Sequence, residues 1–216
     1  MASQTVFRWL DGLGWLVFSG AVDVSSDVRA LTLERAVADG GVAYVSLQPD
    51  ADDGALADME DLGAPSGYLV DVLAEDDATV YDRLASASIV VIEDSANAET
   101  LRNALLGAAI NGIQEAYERG AVVLAEGAAA AVFGAWLMPD SGDKTDGLGW
   151  LSNTVIIPAA TDVINLPQSR ALMDDQADAI IVGLGAGSAL VLGPNGEVET
   201  WGRREVMVAL GPAYSA

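Results

Sequence analysis

Short apolar runs bounded by turn residues alternate with helical patterns along most of the chain. Such runs are typical of strands in a mostly parallel sheet that helices cover on both faces. The predicted strands are Trp15–Ser19, Val42–Leu47, Tyr68–Val72, Ile89–Ile92, Ala121–Ala125, Val155–Ile157, Ala179–Val182, Ser188–Leu192, Val198–Trp201 and Glu205–Leu210. The predicted helices are Ser26–Ala38, Gly54–Leu62, Thr79–Ser86, Asn97–Arg119, Ala128–Met138 and Gln168–Gln176, with a polar loop at Asp140–Gly147.

The end of the chain has a hairpin signal. Pro194-Asn195-Gly196 separates two short apolar runs, and Asn-Gly is the strongest short signal of a two-stranded turn. A chain of 216 residues is long enough for one complete α/β domain. We therefore predict a single α/β domain over residues 1–216. It is expected to be a three-layer sandwich with a mostly parallel central sheet, helices on both faces and an antiparallel hairpin near the C-terminus.

The charge of the chain is strongly acidic. It has 32 acidic and 10 basic residues, a formal net charge of −22, and Lys144 is its only lysine. Such a field repels phosphate backbones and anionic lipid headgroups, so we expect neither nucleic-acid nor membrane binding. A salty environment or a basic partner would each account for the acidity.

The sequence also lacks two residue types that carry much of enzyme chemistry. There is no cysteine, which excludes disulfides, a thiolate nucleophile and the usual cysteine-based zinc sites. There is no histidine, which excludes the Ser-His pair that most often activates a serine. We expect no cofactor and identify no metal site.

The N-terminal residues do not have the charged start, apolar core and small-residue cleavage site of a signal peptide. The longest apolar stretch, Ala121–Met138, approaches the length of a membrane-spanning helix. However, Glu126 interrupts it, and its two parts fit a buried strand followed by a small-residue helix. We expect a cytoplasmic protein.

That stretch is also the most informative one for function. From Gly120 to Gly134 the chain reads GAVVLAEGAAAAVFG, so a buried strand turns through Glu126-Gly127 into a helix of very small residues. This is the layout of a nucleophile elbow, in which small neighbours allow the strand and the helix to approach closely.

This segment resembles the elbow of the cyanophycinase and aspartyl-dipeptidase family of serine peptidases, in which a Gly-x-Ser-Ala-Gly-Ala motif stands at this place. Trp15–Gly20 is similar to the opening strand of that family, and Ser88–Ala96 to the strand before its Gly-Gly-Gly-Asn loop. Gly147–Ala160 and Gly183–Val191 are similar to its later Gly-Leu-Gly-Leu-Leu and Gly-Leu-x-Glu-x-x-Ala-Leu stretches. The resemblance implies a class I glutamine-amidotransferase-like fold.

The same resemblance implies that the catalytic groups are missing. Gly127 stands where the family has its serine, followed by Ala128, and Ser95 lies in the segment that replaces the glycine-rich oxyanion loop. Ala160 and Ala186 stand near the histidine and acidic positions. Glycine adopts a strained elbow conformation without a Cβ clash, so Gly127 retains the turn without the hydroxyl. We expect a catalytically inactive relative, a pseudoenzyme.

Three carboxylates follow two strands that are predicted to be neighbours. Glu93, Asp94 and Glu126 would lie at the carboxyl end of the sheet, where open α/β folds bind ligands. They could bind a small ligand or a hard cation such as calcium or magnesium, or cap the helices that follow them. A further alternative is a rebuilt active site, a hydrolase or lyase that uses these carboxylates as acid and base.

The remaining expectation concerns partners. The resemblance implies that a homodimer can form, and we expect exposed tryptophans to permit it. The function predicted from sequence is therefore an inactive peptidase-like protein that retains a pocket or an interface for a small ligand, a cation or a partner protein.

Overall fold

Twelve strands and seven α-helices lie within residues 6–23, 26–36, 39–47, 54–138 and 144–214, which are the residues that the computed structural model describes. The strands are β1 (Trp15–Ser19), β2 (Val42–Ser46), β3 (Gly67–Asp71), β4 (Ile89–Ile92), β5 (Val122–Glu126), β6 (Trp136–Leu137), β7 (Thr145–Asp146), β8 (Thr154–Pro158), β9 (Ile180–Leu184), β10 (Ser188–Leu192), β11 (Val198–Gly202) and β12 (Val206–Leu210). The helices are α1 (Val28–Arg35), α2 (Gly54–Asp61), α3 (Asp77–Ala85), α4 (Ala98–Leu105), α5 (Ala108–Glu118), α6 (Ala128–Val132) and α7 (Pro167–Asp175). A 3₁₀ turn follows at Pro212–Tyr214.

The central sheet has seven strands in the order β11-β10-β1-β5-β4-β2-β3. Strands β1, β5, β4, β2 and β3 run parallel, whereas β10 and β11 are antiparallel to their neighbours. The predicted α/β class, the largely parallel sheet and the C-terminal hairpin are therefore confirmed. In the hairpin, Leu192 lies opposite Val198, and the turn is closed by the N–H of Gly193 bonded to the carbonyl of Glu197.

Helices cover both faces of this sheet. Leu16 and Ile92 pack on one face with residues of α3, α4, α5 and α6. Val17 and Val91 pack on the other with residues of α1 and α2. The central strands are apolar throughout because both of their faces are buried.

A second, three-stranded sheet was not predicted. It has the order β12-β9-β8, with β8 and β9 parallel and β12 antiparallel to β9. Its own small core includes Val155, Ile181 and Ala209. The sequence pattern shows that these segments are strands, but it does not show which sheet they join.

The predicted helix Asn97–Arg119 is wrong as one element, because it is divided at Gly107. That glycine has a φ of +96°, which ends α4 and redirects the chain into α5. Gly112 then allows α5 to approach α3 closely, because a Cβ there would lie 2.8 Å from the Tyr81 carbonyl oxygen.

The predicted helix Ala128–Met138 is also too long. It ends after Val132, and Trp136–Leu137 pairs with Thr145–Asp146 as a short antiparallel ladder. The N–H of Ala135 donates to the Thr154 carbonyl (2.7 Å), so the chain is drawn toward β8. Residues 140–143 of the predicted polar loop lie outside the described residues.

Two further expectations concern surfaces. The tryptophans are not exposed as predicted, since Trp150 and Trp201 are buried and Trp9, Trp15 and Trp136 are half-buried. No helix within the described ranges has both the length and the apolar character that crossing a membrane requires.

Candidate functional site

The turn between β5 and α6 is a sharp strand-to-helix elbow. At its apex Gly127 has φ +57° and ψ −126°, a backbone conformation that L-residues rarely adopt. The N–H of Gly127 donates to the carbonyl of Ser19 on the neighbouring β1 (2.9 Å). The elbow is thus held against the central sheet at the carboxyl end of its parallel strands.

The carboxylate of Asp94 fills the space at the apex of this elbow. A Cβ added to Gly127 would collide with the Asp94 carboxylate. Oδ1 of Asp94 accepts hydrogen bonds from the backbone N–H of Ala128 (2.7 Å) and from that of Ser95 (2.9 Å). An acidic side chain from the loop after β4 therefore occupies the place where a residue-127 side chain would lie.

The other positions picked out by the resemblance gather around one short segment, Ser19–Ala21. The N–H of Ala159 donates to the Gly20 carbonyl (3.1 Å), and the N–H of Gly187 donates to the Ala21 carbonyl (3.1 Å). Ala160, next to Ala159, bonds through its N–H to the Leu184 carbonyl (3.2 Å), and Ala186 precedes Gly187. The fold therefore brings the elbow and the chain segments of Ala160 and Ala186 to one edge of the sheet.

Ala159 has an unusual backbone conformation for its residue type. Its φ is +54°, in the left-handed region, where a Cβ costs roughly 1–2 kcal/mol. It lies directly after β8, at the edge of the sheet that also carries the elbow.

Glu126, the last residue of β5, forms a buried ion pair with Arg29 of α1. Nε and Nη2 of Arg29 donate to the two carboxylate oxygens of Glu126 at 2.9 and 2.7 Å. The side chains are 3% exposed for Glu126 and 13% exposed for Arg29. Nη1 of Arg29 donates to Asp58 of α2 (2.8 Å), so one guanidinium links α1, α2 and the central sheet. This bidentate geometry is the strong form of an Arg–carboxylate pair.

The charge state of Arg29 follows from this pairing. Burial by itself lowers the pKa of Arg29, but the hydrogen bonds and negative charge of Glu126 outweigh that effect. Asp58 and Glu93 add to the same direction, so the pKa of Arg29 lies above its ordinary value. The guanidinium stays charged at every physiological pH.

The buried phenol of Tyr44 lies near the same charges. Its hydroxyl has no hydrogen-bond partner in the part of the chain that the structure describes. Burial raises the pKa of Tyr44, and the positive charge of Arg29 opposes this rise. The hydroxyl is therefore neutral, within reach of the electrostatic field of the ion pair.

Two clefts flank the elbow. The acidic cleft, about 240 Å³, lies between β1, α1 and α2, and its wall includes Asp23, Arg29, Asp58, Asp61 and Glu126. The apolar cleft, about 440 Å³, lies between the start of α4, α6 and β8, and its wall includes Ala98, Ala131, Leu137, Ile156 and Pro158.

The three carboxylates singled out from the sequence have different surroundings. Glu126 bonds to Arg29, Asp94 bonds to two backbone N–H groups, and Glu93 contributes to the electrostatic field at Arg29. Within the described residues, no group of three or more acidic side chains is arranged to hold a metal ion.

The capping expectation is correct in kind but not in its residues. Asp94, from a neighbouring loop, bonds to the first N–H of α6, whereas Glu126 does not serve there. Asn97 caps α4 through its side-chain oxygen, which accepts from the N–H of Thr100 (2.9 Å). Asn is a preferred N-cap residue, so the sequence did carry that signal.

Sequence reasoning missed Arg29. It lies 97 residues before Glu126, and a single arginine in a predicted helix has nothing to distinguish it. Only the packing of α1 against β5 shows that it faces a buried carboxylate.

The fold is that of known peptidases. The structure is similar to that of a peptidase from an acI-B1 actinobacterium, with a TM-score of 0.70 and 14% identity over 92% of this chain and 95% of that one. It is also similar to a candidate peptidase E protein from Listeria monocytogenes EGD-e, with a TM-score of 0.61 and 15% identity over 91% of this chain and 98% of that one. No family model and no curated protein sequence matches the chain.

Proposed function

We propose that this protein is a non-catalytic, peptidase-fold binding protein that has lost the peptidase reaction. The observation that carries the proposal is the Asp94 carboxylate, which fills the space of a residue-127 side chain and accepts a hydrogen bond from the N–H of Ala128. A nucleophile elbow needs a side chain at its apex and free donors beside it. Here the apex is Gly127, and a donor beside it is already bonded within the chain.

Electrostatics supports the loss of acyl-transfer chemistry. An oxyanion that develops beside Ala128 would meet the negative charge of Asp94, and like charge opposes such a transition state. The chain also has no histidine to serve as general base. The cyanophycinase-type relationship predicted from the sequence thus concerns ancestry and fold, and the present function is a different one.

The acidic cleft is the best place for a ligand of this protein. Asp23, Asp58, Asp61 and Glu126 oppose the single cation Arg29 in its wall, so the cleft favours a positively charged guest. Its volume of about 240 Å³ suits a small molecule. Because the described acidic residues do not converge as metal ligands, an organic ammonium ion is a better guest than a hard cation.

Binding of amines tests this function directly. The probes are methylamine, putrescine, agmatine and lysine, measured by isothermal titration calorimetry and by the shift in thermal unfolding midpoint. We expect an amine to bind, and Asp61→Asn to weaken its binding by about two- to fivefold, the effect of one exposed charge. Asp82→Asn, an exposed carboxylate on α3 away from the cleft, is the matched control and should have no effect. Failure of all four amines to bind would contradict the proposal.

The carboxylate hydrolase or lyase stays a prediction from sequence and is the rival function. Incubation with a peptide library, followed by mass spectrometry, distinguishes the two functions. We expect no turnover by the wild-type chain. Turnover that Asp94→Asn and Glu126→Gln abolish would favour the enzyme and overturn the non-catalytic proposal.

A further inference from the structure

Strand β12 is an outer edge of the small sheet. It pairs with β9, from Val206 opposite Leu184 to Leu210 opposite Ile180. No other strand of the described residues pairs with its second edge. That edge therefore has backbone donors and acceptors that no neighbouring strand uses.

The hydrogen bonds at the two ends of this ladder show which backbone groups point outward. The carbonyl of Glu205 accepts from the N–H of Gly185 (2.8 Å), and the N–H of Gly211 donates to the carbonyl of Ala179 (2.9 Å). Hydrogen-bonded and non-bonded pairs alternate along an antiparallel ladder, so the odd-numbered residues of β12 bond to β9. The residues whose N–H and C=O groups point away from β9 are Val206, Val208 and Leu210.

The other edges of the two sheets are protected in ways that proteins commonly use. Strand β11 contains Glu199, and β8 ends in Pro158. At the edge of β3, Asp71 is charged, and Arg83 donates from Nη2 to the carbonyl of Leu69. Each of these edges has a charged or proline residue that discourages pairing with another chain.

Strand β12 has no such protection. Its sequence is Val-Met-Val-Ala-Leu, without charge, proline or glycine. Val208 and Leu210 are 38% and 42% exposed, on the same face of the small sheet as the buried Ile180 and Val182. A strand added to this edge would extend a core that now ends at β12.

The charge around β12 favours a second copy of this acidic chain. From Gly202 to Ala216 the only acidic residue is Glu205, and two of the ten basic residues, Arg203 and Arg204, lie beside it. Elsewhere the net charge of −22 would make two copies repel one another. At β12 the local charge is slightly positive, so repulsion between two copies is smallest there.

We propose that β12 pairs antiparallel with β12 of a second copy, about a two-fold axis at Val208. In this register the outward-pointing backbone groups of Val206 face those of Leu210 in the second copy, and Val208 faces its own counterpart. The pairing is self-complementary, as a two-fold interface requires, and forms up to about six backbone hydrogen bonds. Only apolar side chains meet, and Glu205 comes opposite Gly211, so no like charges face each other.

The short strand also sets the expected strength. A pair of five-residue strands buries less area than a standard stable interface of about 1,600 Å². The dimer is therefore a weak one, and its population depends on protein concentration.

Sedimentation velocity from micromolar to near-millimolar concentration tests the proposal. We expect a monomer–dimer equilibrium for the wild-type chain. Val208→Lys places two like charges at the two-fold axis and should weaken the dimer by at least about tenfold. The matched control is Val198→Lys, since Val198 is a 45% exposed valine on the opposite edge strand β11. That variant should leave the equilibrium unchanged.

Amide hydrogen exchange of the wild-type chain provides a second measurement that does not depend on a variant folding. Protection of the Val206, Val208 and Leu210 amides should increase with protein concentration. A chain that stays monomeric throughout, or a dimer that Val198→Lys disrupts and Val208→Lys does not, overturns the proposal. Dimerisation without added protection at these three amides overturns it as well.

Discussion

The carboxylate of Asp94 lies where a side chain at Gly127 would have to be, and it bonds to the N–H of the next residue. In a peptidase elbow that place belongs to the nucleophile. Here a loop after one strand supplies a permanent occupant for the turn after its neighbour. The site and its loss of nucleophile are thus two sides of one contact.

Gly127→Ser should destabilise the protein and should not make it a hydrolase. The new side chain must adopt a φ of +57° and displace Asp94, so we expect a loss of roughly 1–3 kcal/mol in the free energy of unfolding. Gly63→Ala is the control, because Gly63 also has a positive φ but has no atom near its added Cβ. Adding Asp94→Gly should restore part of the loss caused by Gly127→Ser. Additive effects of the two changes in urea denaturation would show that residues 94 and 127 do not compete for space.

Glu126→Ala should be among the most destabilising single changes in the chain. It leaves the guanidinium of Arg29 buried without its principal partner, which costs about 3–5 kcal/mol. Asp58→Ala removes the exposed partner of the same guanidinium and should cost less than about 1 kcal/mol. Guanidinium chloride unfolding of both variants measures the difference, and equal losses would contradict a dominant role for the buried pair.

The protein should lose stability at alkaline pH through Tyr117. Burial raises the pKa of Tyr117 to about 12, and the charge of Asp11 adds to the rise. Because this pKa is raised in the folded state, the contribution is complete below the unfolded pKa of about 10 and is lost as the pH rises toward 12. Tyr117→Phe should therefore flatten the fall in unfolding free energy above pH 10. Tyr81→Phe, at an exposed tyrosine, is the control, and an unchanged fall in Tyr117→Phe would disprove the assignment.

Ala159→Gly should stabilise the protein. Glycine adopts the φ of +54° without the Cβ clash, so we expect a gain of about 1 kcal/mol. Asn153 has the same φ, but its side chain bonds to Asp178, and Asn tolerates this conformation. Asn153→Gly should therefore give no gain. Thermal unfolding of the two variants compares them, and a loss of stability in Ala159→Gly would mean that the methyl group has a packing role.

The strands were largely predictable because burial on both faces leaves a clear mark in the sequence. Ile89–Ile92 is four apolar residues between Ser88 and Glu93, and the strand has these bounds in the structure. The helix break at Gly107 was not predictable in the same way. Apolar residues continue on both sides of it, and the gain that favours the break is the close contact of α5 with α3.

The candidate site was predictable only in part. The small residues from Ala128 to Ala131 indicate a tight elbow, and Gly127 indicates a missing nucleophile. That Asp94 fills the apex depends on the adjacency of β4 and β5, which the sequence order alone does not establish. The resemblance to peptidases predicted the fold, and the structural comparison supports it at that level.

The sequence by itself determined the α/β class, the positions of the strands and the absence of cysteine, histidine and an elbow nucleophile. These follow from local patterns and from counts, which need no knowledge of what lies nearby. Tertiary structure alone decided that Arg29 pairs with Glu126, that three strands form a separate sheet and that β12 is an unprotected edge. Each of these depends on contacts between residues far apart in the chain, where the free energy of burial and pairing outweighs local preference.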